Sequence, residues 1–395
     1  MHFALNDEQR AFRDAVAAFA RDRLAGDYAG ADRRGAFREG LVGEMAELGL
    51  VGLRIPQEHG GQGADALSAG IAVEEVARAD LNASYLVFLP ALVAEVLVGA
   101  ASKGQRERWL PAIAAGETLP CFCLTEPEHG SDAARLALRA ERIDGAATGS
   151  AVQAERDGSG WRLTGEKTSI SLGMGAHTAL VFARTGGEGA RGISAFYIEL
   201  DDRFVQRSPF EDLGERAIGR ASLAFDGHPV GEECLVGRQG EGFVRCMQGF
   251  DYSRALIALM CLACAQQSLD EAIAYTRERR AFGQPISRQQ AAAFPLVELA
   301  AQLRGARLLS YEALWRKDQG LPHALEANMV KWWGPRLAAE VCHQALLAFG
   351  HAAYSEELPQ AQRLRDVIGL EIGDGTAQIA KLVAARHLFG REFAP

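Results

Sequence analysis

Near the end of a 395-residue chain stands "GLEIGDGTAQIAK", residues 369–381. A lone carboxylate, Asp374, sits there between two glycines just ahead of Thr376. Gly373 and Gly375 are poor helix formers flanked by good ones, so the segment reads as a break where backbone approaches a neighbour closely. Asp and Gly are also ordinary turn residues, and this stretch alone leaves a plain turn open beside a positioned acid. A second stretch, "CFCLTEPEHGSDAA", residues 121–134, runs from an apolar strand through Thr125, Glu126 and Pro127 into a tight Gly130-Ser131-Asp132 turn. Hydroxyls and free backbone N–H groups in such a turn suit a polar heterocycle edge or a phosphate; a loop with helix-capping Ser and Asp is the plainer alternative. Asp251 and Arg254, three apart, have the spacing of a surface ion pair, which is their plainer alternative. "RERR", residues 277–280, reads by itself as a solvated helix end.

The seven cysteines offer no metal chemistry. Cys121 and Cys123 fall side by side on a strand, Cys261 and Cys264 lie one helical turn apart, and no second Cys or His pair stands at zinc-like spacing. All read as small buried hydrophobes, and Trp332-Trp333 as packing. A formal charge of −9 and a pI near 5.6 argue against nucleic acid, which needs a basic footprint. The most apolar run, "YLVFLPALVAEVLVGAA", contains Pro90 and Glu95 and falls short of a clean membrane span. The first residues carry acids and no apolar core, unlike a signal peptide, and a cytoplasmic location is expected.

These residues must be held by elements whose period changes twice. Up to about Gly116 the pattern is helical: "NDEQRAFRDAVAAFARDRL" opens on Asn6 as N-cap with Gln9 three residues on, and Phe12, Val16 and Phe19 follow at helical spacing. From about Leu119 to Val236, "GWRLTGEKTSIS", "HTALVFART", "RGISAFYIEL" and "ASLAFDGHPV" are short strands between Gly-rich turns. Long helices return from Gly242, with further ones expected over 290–318, 324–347 and 374–389. The expected domains are therefore 1–117 helical, 118–236 β and 237–395 helical, an α+β multidomain chain. No GxGxxG follows a strand, so a Rossmann-type nucleotide site is not expected, and any cofactor must lie at the domain seams.

The stretch at 121–134 resembles the "LTEPxxGSD" signature of the acyl-CoA dehydrogenase family, and the resemblance runs along nearly the whole chain. "LNDEQRAFRDAVAAFA" and "LRIPQEHGGQGAD" are similar to the family's opening helix and loop, "GEKTSIS" to its flavin-side strand, and "FDYSRALIA" to its substrate helix. "RERRAFGQPI" resembles its Arg-x-x-Phe-Gly cofactor motif, and "FGHAAYSEELPQAQRLRDVIGLEIGDGTAQI" its carboxyl-terminal block. The resemblance implies an amino-terminal helical domain, a central β-domain and a carboxyl-terminal four-helix bundle. It also implies FAD, an acyl-CoA thioester substrate, an electron-transfer flavoprotein as acceptor, and a homotetramer, a dimer of dimers, sharing cofactor across an interface. Thr125 and the backbone around Cys123 and Leu124 would then meet the isoalloxazine, with Ser169 and Ser171 where the family usually has Trp and Thr. Ser131 would contact CoA. Arg279 and Phe282 would reach a neighbouring subunit's FAD, Gln290 and Gly350 would line the adenylate path, and Thr376 and Gln378 would hold the other end. Asp251 and Arg254 would bind substrate.

Asp374 then falls where the family commonly has a catalytic Glu, and Arg365-Asp366 falls on the family's Arg-Asp pair with no gap between. The resemblance makes Asp374 the base for the α-proton, its backbone N–H and a ribityl hydroxyl the donors to the thioester oxygen, and Gly375 the gap that admits the thioester. Some branches carry the base directly before the arginine, here Ser253, which cannot serve. Asp shortens the acid by about 1.5 Å, and a mismatch of that size costs on the order of 100-fold. Asp-base branches that act on cyclohexane-1-carbonyl-CoA share stretches such as "KWWGP" and "FPLVE", which points to an alicyclic acyl group. A linear or branched acyl-CoA, a nitroalkane or amine flavin oxidase, and a flavin-binding homologue without chemistry stay open as alternatives.

Overall fold

The computed structural model describes residues 4–143 and 160–394. The first helix, α1 (Asp7–Phe19), starts as its sequence dictates: Asn6 Oδ1 accepts from the Gln9 N–H at 2.8 Å, and Gln9 Oε1 accepts from the Asn6 N–H at 3.1 Å. Two orphan donors are thereby satisfied reciprocally. There follow α2 (Tyr28–Arg34), α3 (Leu41–Glu47), α4 (Ala66–Ala79), α5 (Tyr85–Ala100) and α6 (Lys103–Ala114). The apolar run containing Pro90 is α5, and it is buried on nearly every side.

The chain then changes to strands: β1 (Pro120–Cys123), β2 (Arg139–Arg142), β3 (Trp161–Ile170), β4 (Thr178–Arg184), β5 (Ile193–Glu199), β6 (Val205–Pro209), β7 (Ala221–Val230) and β8 (Leu235–Val236). They form one sheet in the order β6-β7-β3-β2-β4-β5-β8, with β1 running parallel to β4. The short strands β2, β6 and β8 carry too few residues to show a period, and the sequence did not announce them. The β3–β7 register breaks between Lys167 and Ile170, and Ser169 inside that break takes φ 58°. Such an irregularity re-aims the side chains at a strand's end.

Helices return as α7 (Gly242–Glu278), a small hairpin of β9 (Arg280–Ala281) with β10 (Gln284–Pro285), then α8 (Gln290–Asp318), α9 (Ala324–Phe349), α10 (Pro359–Gly369) and α11 (Ala377–Phe389). The helix expected from 374 starts instead at Ala377. Asp374 and Gly375 lie before it with φ 55° and 96°, and Thr376 Oγ1 caps the helix by accepting from the Ile379 N–H at 3.4 Å. Left-handed φ values cannot continue a helix. The separate helix α10 was not anticipated either.

Helix α7 is long and apolar enough to span a membrane by length and composition, yet most of its apolar window is buried in the protein. It is the axis of the main core, which runs without a break from Leu86, Leu89 and Val93 of α5 to Leu256, Leu259 and Met260 of α7 and Leu337 and Val341 of α9. Gly334 lets α9 lie close to α7: a Cβ there would meet the Ala258 Cβ at 3.0 Å. The strands keep a separate core around Trp161, Val181, Phe196 and Phe225. The two cores leave seams between helical and strand regions.

Candidate functional site

Asp374 is half-buried at the junction of α7, α9 and the turn before α11. Three side chains fix it. Ser253 of α7, fully buried, donates its hydroxyl to Asp374 Oδ2 at 2.9 Å. Arg254, 4 % exposed, directs Nε to the Asp374 carbonyl at 3.4 Å and pairs with Asp251 at 3.7 Å. Lys331 of α9, 1 % exposed, donates from Nζ to the carbonyls of Leu370 at 3.0 Å and Gly375 at 2.9 Å. A lysine among apolar residues is tolerated only with such acceptors, and these two carbonyls bracket Asp374 in sequence. Gly375 completes the turn; a Cβ there would stand 3.3 Å from the Arg254 guanidinium.

Desolvation raises the Asp374 carboxyl above the usual carboxylate range, against the Ser253 hydrogen bond and the charges of Lys331 and Arg254. Burial lowers Lys331 to about 8, with Asp374 opposing, and burial likewise lowers Arg254. The arrangement is a desolvated acid kept near two cations whose own hydrogen bonds go elsewhere. Such a group is suited to general-base work near neutral pH.

The turn is anchored from behind by α10. Buried Asp366 accepts from the Tyr28 hydroxyl at 2.6 Å, Asn82 Nδ2 at 2.9 Å and the Glu215 N–H at 2.6 Å. Arg365 pairs with Asp32 at 2.7 Å. The Arg-Asp pair therefore ties the carboxyl-terminal block to α2, to the α4–α5 turn and to the β6–β7 loop.

A second group of expected residues gathers at the ends of β1 and β3. The Thr168 N–H donates to the Thr125 carbonyl at 2.8 Å. Lys167, fully buried, bonds the Leu124 carbonyl at 2.9 Å and Glu126 Oε1 at 2.8 Å. Glu126 also accepts the N–H groups of Ala137 and Leu138. Cys123 and Leu124 are buried, whereas Thr125 and Ser171 are half-buried, with hydroxyls that have no partner among the described residues. Ser169 is exposed and accepts from Arg220 at 2.9 Å, and Ser131 is exposed in its loop.

Arg279, Phe282, Gln290 and Gly350 stand apart from both groups and are all exposed. Phe282, at φ 53° on the hairpin tip, is 95 % exposed. Tyr275 stacks on Phe349 at 4.3 Å, which ties the end of α7 to the end of α9 beside Gly350. Gln378 is exposed on α11. The buried guanidinium of Arg254 removes the plainer alternative of a surface pair with Asp251. Ser253, set aside as unable to act as a base, touches the acid instead. Lys331, Lys167 and Glu126 were assigned no role although each is visible, Lys331 as a lone charge in the apolar run "NMVKWWGP". Glu215 was also overlooked: it sits at φ 55° and accepts from Tyr85 at 2.7 Å, and burial raises it to about 8.

Residues 6–117, 121–228 and 240–389 match the amino-terminal, middle and carboxyl-terminal domains described for acyl-CoA dehydrogenases. The chain is 34% identical over 393 residues to the probable acyl-CoA dehydrogenase YngJ of Bacillus subtilis, covering 98% of this chain and 100% of that protein. It is 34% identical to the mitochondrial short-chain specific acyl-CoA dehydrogenase of Bos taurus, covering 97% and 90%. The butyryl-CoA dehydrogenase structure from Megasphaera elsdenii superposes with a TM-score of 0.91 at 30% identity, covering 98% and 100%.

Proposed function

Because the chain belongs to the acyl-CoA dehydrogenase family of FAD-dependent oxidoreductases, we propose that it desaturates an acyl-CoA thioester at Cα–Cβ with Asp374 as the base. The observation that carries this reading is the desolvated Asp374 carboxylate at a glycine-flanked turn, held by Ser253.

The residues present fit an FAD. The half-buried hydroxyls of Thr125 and Ser171 have no partner among the described residues, and neither does the exposed guanidinium of Arg279. Thr125, Ser169 and Ser171, with the backbone at Cys123 and Leu124, would hold the ring system of FAD. Arg279 suits a pyrophosphate, and the bare Phe282 ring suits a flat base from a neighbouring copy. Gln290, Gly350, Thr376 and Gln378 would line the rest of its path. Bound there, FAD supplies the acceptor for the β-hydride.

The chain's own part is proton chemistry and positioning. Asp374 takes the α-proton, and desolvation strengthens it as a base. Its backbone N–H has no acceptor among the described residues and would donate to the thioester oxygen as charge develops there. Arg254 and Lys331 hold the turn and favour the ionised acid against its desolvation, Gly375 leaves room for the thioester, and Asp251 orients Arg254. Ser131 lies on an exposed loop that would meet CoA.

The assembly follows from what the chain leaves uncovered. Phe294, Val297, Leu388, Phe389 and Phe393 of the carboxyl-terminal region are exposed apolar side chains, which support a homotetramer burying them between copies. An electron-transfer flavoprotein would accept the electrons, and a cytoplasmic location completes the reading.

For the acyl group we propose an alicyclic ring such as cyclohexane-1-carbonyl. Asp374 withdraws the base by about 1.5 Å relative to Glu, and Ser169 replaces an indole with a hydroxymethyl group. A ring branching at Cα fills such space and brings its proton to the shorter acid. Anaerobic flavin reduction by cyclohexanecarbonyl-CoA, butyryl-CoA and octanoyl-CoA tests this. A linear substrate favoured tenfold in kcat/KM, about 1.4 kcal/mol, removes the alicyclic reading. Asp374→Asn is expected to keep FAD and to lose reduction by every acyl-CoA; bleaching above a few per cent of the native rate removes Asp374 as the base.

A further inference from the structure

We propose that Ser253 is the positioning residue of the base: its hydroxyl clamps Oδ2 of Asp374, so that Oδ1 is the oxygen left to take the substrate proton. The proposal rests on Asp374 acting as the base.

Ser253 is fully buried on α7, one residue before Arg254. Its single hydroxyl proton has two acceptors in reach, the Asp374 carboxylate at 2.9 Å and the Phe250 carbonyl at 3.4 Å. A helical serine ordinarily returns its proton to a carbonyl of the preceding turn. Here the nearer, charged acceptor wins, since hydrogen bonds to ionised groups are the stronger.

Every other charged or titratable group facing Asp374 is occupied elsewhere or too weak to orient it. From α9, Lys331 spends its hydrogen bonds on the Leu370 and Gly375 carbonyls. From α7, Arg254 binds the Asp374 carbonyl and Asp251, while Cys246 is a neutral thiol that burial pushes well up. From α5, Tyr85 gives its hydroxyl to Glu215. Lys331 and Arg254 thus fix the turn's backbone, and among the described residues only Ser253 bonds the carboxylate. Oδ1 has no partner among them.

A short acid has little reach to waste. Free rotation about its last bond would exchange the two oxygens and swing the base away from the proton, and geometric error of that kind is expensive in proton transfer. The Ser253 bond removes the rotation. It also favours the ionised acid against desolvation, so its loss moves the acidic limb of the rate profile to higher pH.

The test uses the FAD-loaded enzyme with butyryl-CoA and cyclohexanecarbonyl-CoA at saturation, reading the first-order rate of flavin reduction against pH. For Ser253→Ala we expect FAD retained, a rate about tenfold lower and an acidic limb raised by about one pH unit; Ser253→Thr, which keeps the hydroxyl, restores both. Native rate and limb in Ser253→Ala overturn the proposal. A slower Ser253→Ala whose limb stays put and which Ser253→Thr does not rescue overturns it too, leaving only a packing role. If Ser253→Ala does not fold, Ser253→Thr and Ser253→Cys decide: a native limb in the first and a raised limb in the second support the clamp, and equal limbs refute it. Asp374→Asn separates the two readings. If that variant is inactive while Ser253→Ala is native, only the clamp fails; if it still reduces its flavin, the base assignment itself fails.

Discussion

Replacing Glu126 by Gln should unsettle the β1–β3 seam more than any change at the surface. Lys167 is fully buried and Glu126 is 5 % exposed, with Nζ 2.8 Å from Oε1. Oε1 also accepts the Leu138 N–H at 2.9 Å, and Oε2 accepts the Ala137 N–H. Gln keeps one acceptor oxygen and turns the other into a donor. With the amide nitrogen in the Oε2 place the Ala137 N–H faces a donor; in the Oε1 place the Leu138 N–H and the ammonium both do, and Lys167 keeps only the Leu124 carbonyl at 2.9 Å. In both orientations the carboxylate charge that balanced the ammonium is gone. Removing one partner of a buried pair costs about 3–5 kcal/mol, against about 0.2–1 kcal/mol for an exposed pair. The loss should appear as a lower urea midpoint for tryptophan fluorescence together with earlier FAD release, since Leu124 and Thr125 hang from the same pair. Glu126→Gln/Lys167→Met should recover at least half of it, because the uncompensated ammonium is gone. A Glu126→Gln loss under about 1 kcal/mol, or a double variant as costly as the two singles added, would refute the reasoning.

Arg279→Ala should lose FAD and shift the protein to smaller assemblies together, read by flavin absorbance and gel filtration; a monomer with full FAD contradicts a shared site. Glu215 binds a proton more tightly folded than unfolded, with its carboxyl raised by burial to about 8 from its ordinary 4.5. Its contribution is therefore complete below about pH 4.5 and is lost as pH rises through about 8. Glu215→Gln removes that dependence, so the urea midpoint of the native protein, measured against the variant, should fall between pH 5 and 8. A constant difference across that window contradicts the shift.

Sequence alone determined the order of helical, strand and helical regions, because a period of 3.6 or of 2 is written in consecutive residues. It also determined the start of α1, since a capping box needs only Asn6 and Gln9, and it set Asp374 apart as a carboxylate between two glycines. The break at Asp374 was legible because glycines on both sides forbid a good helix, although the helix start moved to Ala377. The tertiary structure alone decided which groups meet that acid. Ser253 lies 121 residues away in sequence and contacts it because α7 packs against the turn. Lys331 reads as a stray charge until the two carbonyls it binds are folded over it. Asp366 acquires its three donors from α2, from the α4–α5 turn and from the β6–β7 loop. Local pattern records what a segment can become, whereas desolvation and hydrogen bonding depend on the neighbours that packing supplies, and those come from distant segments brought together by burial of a common core.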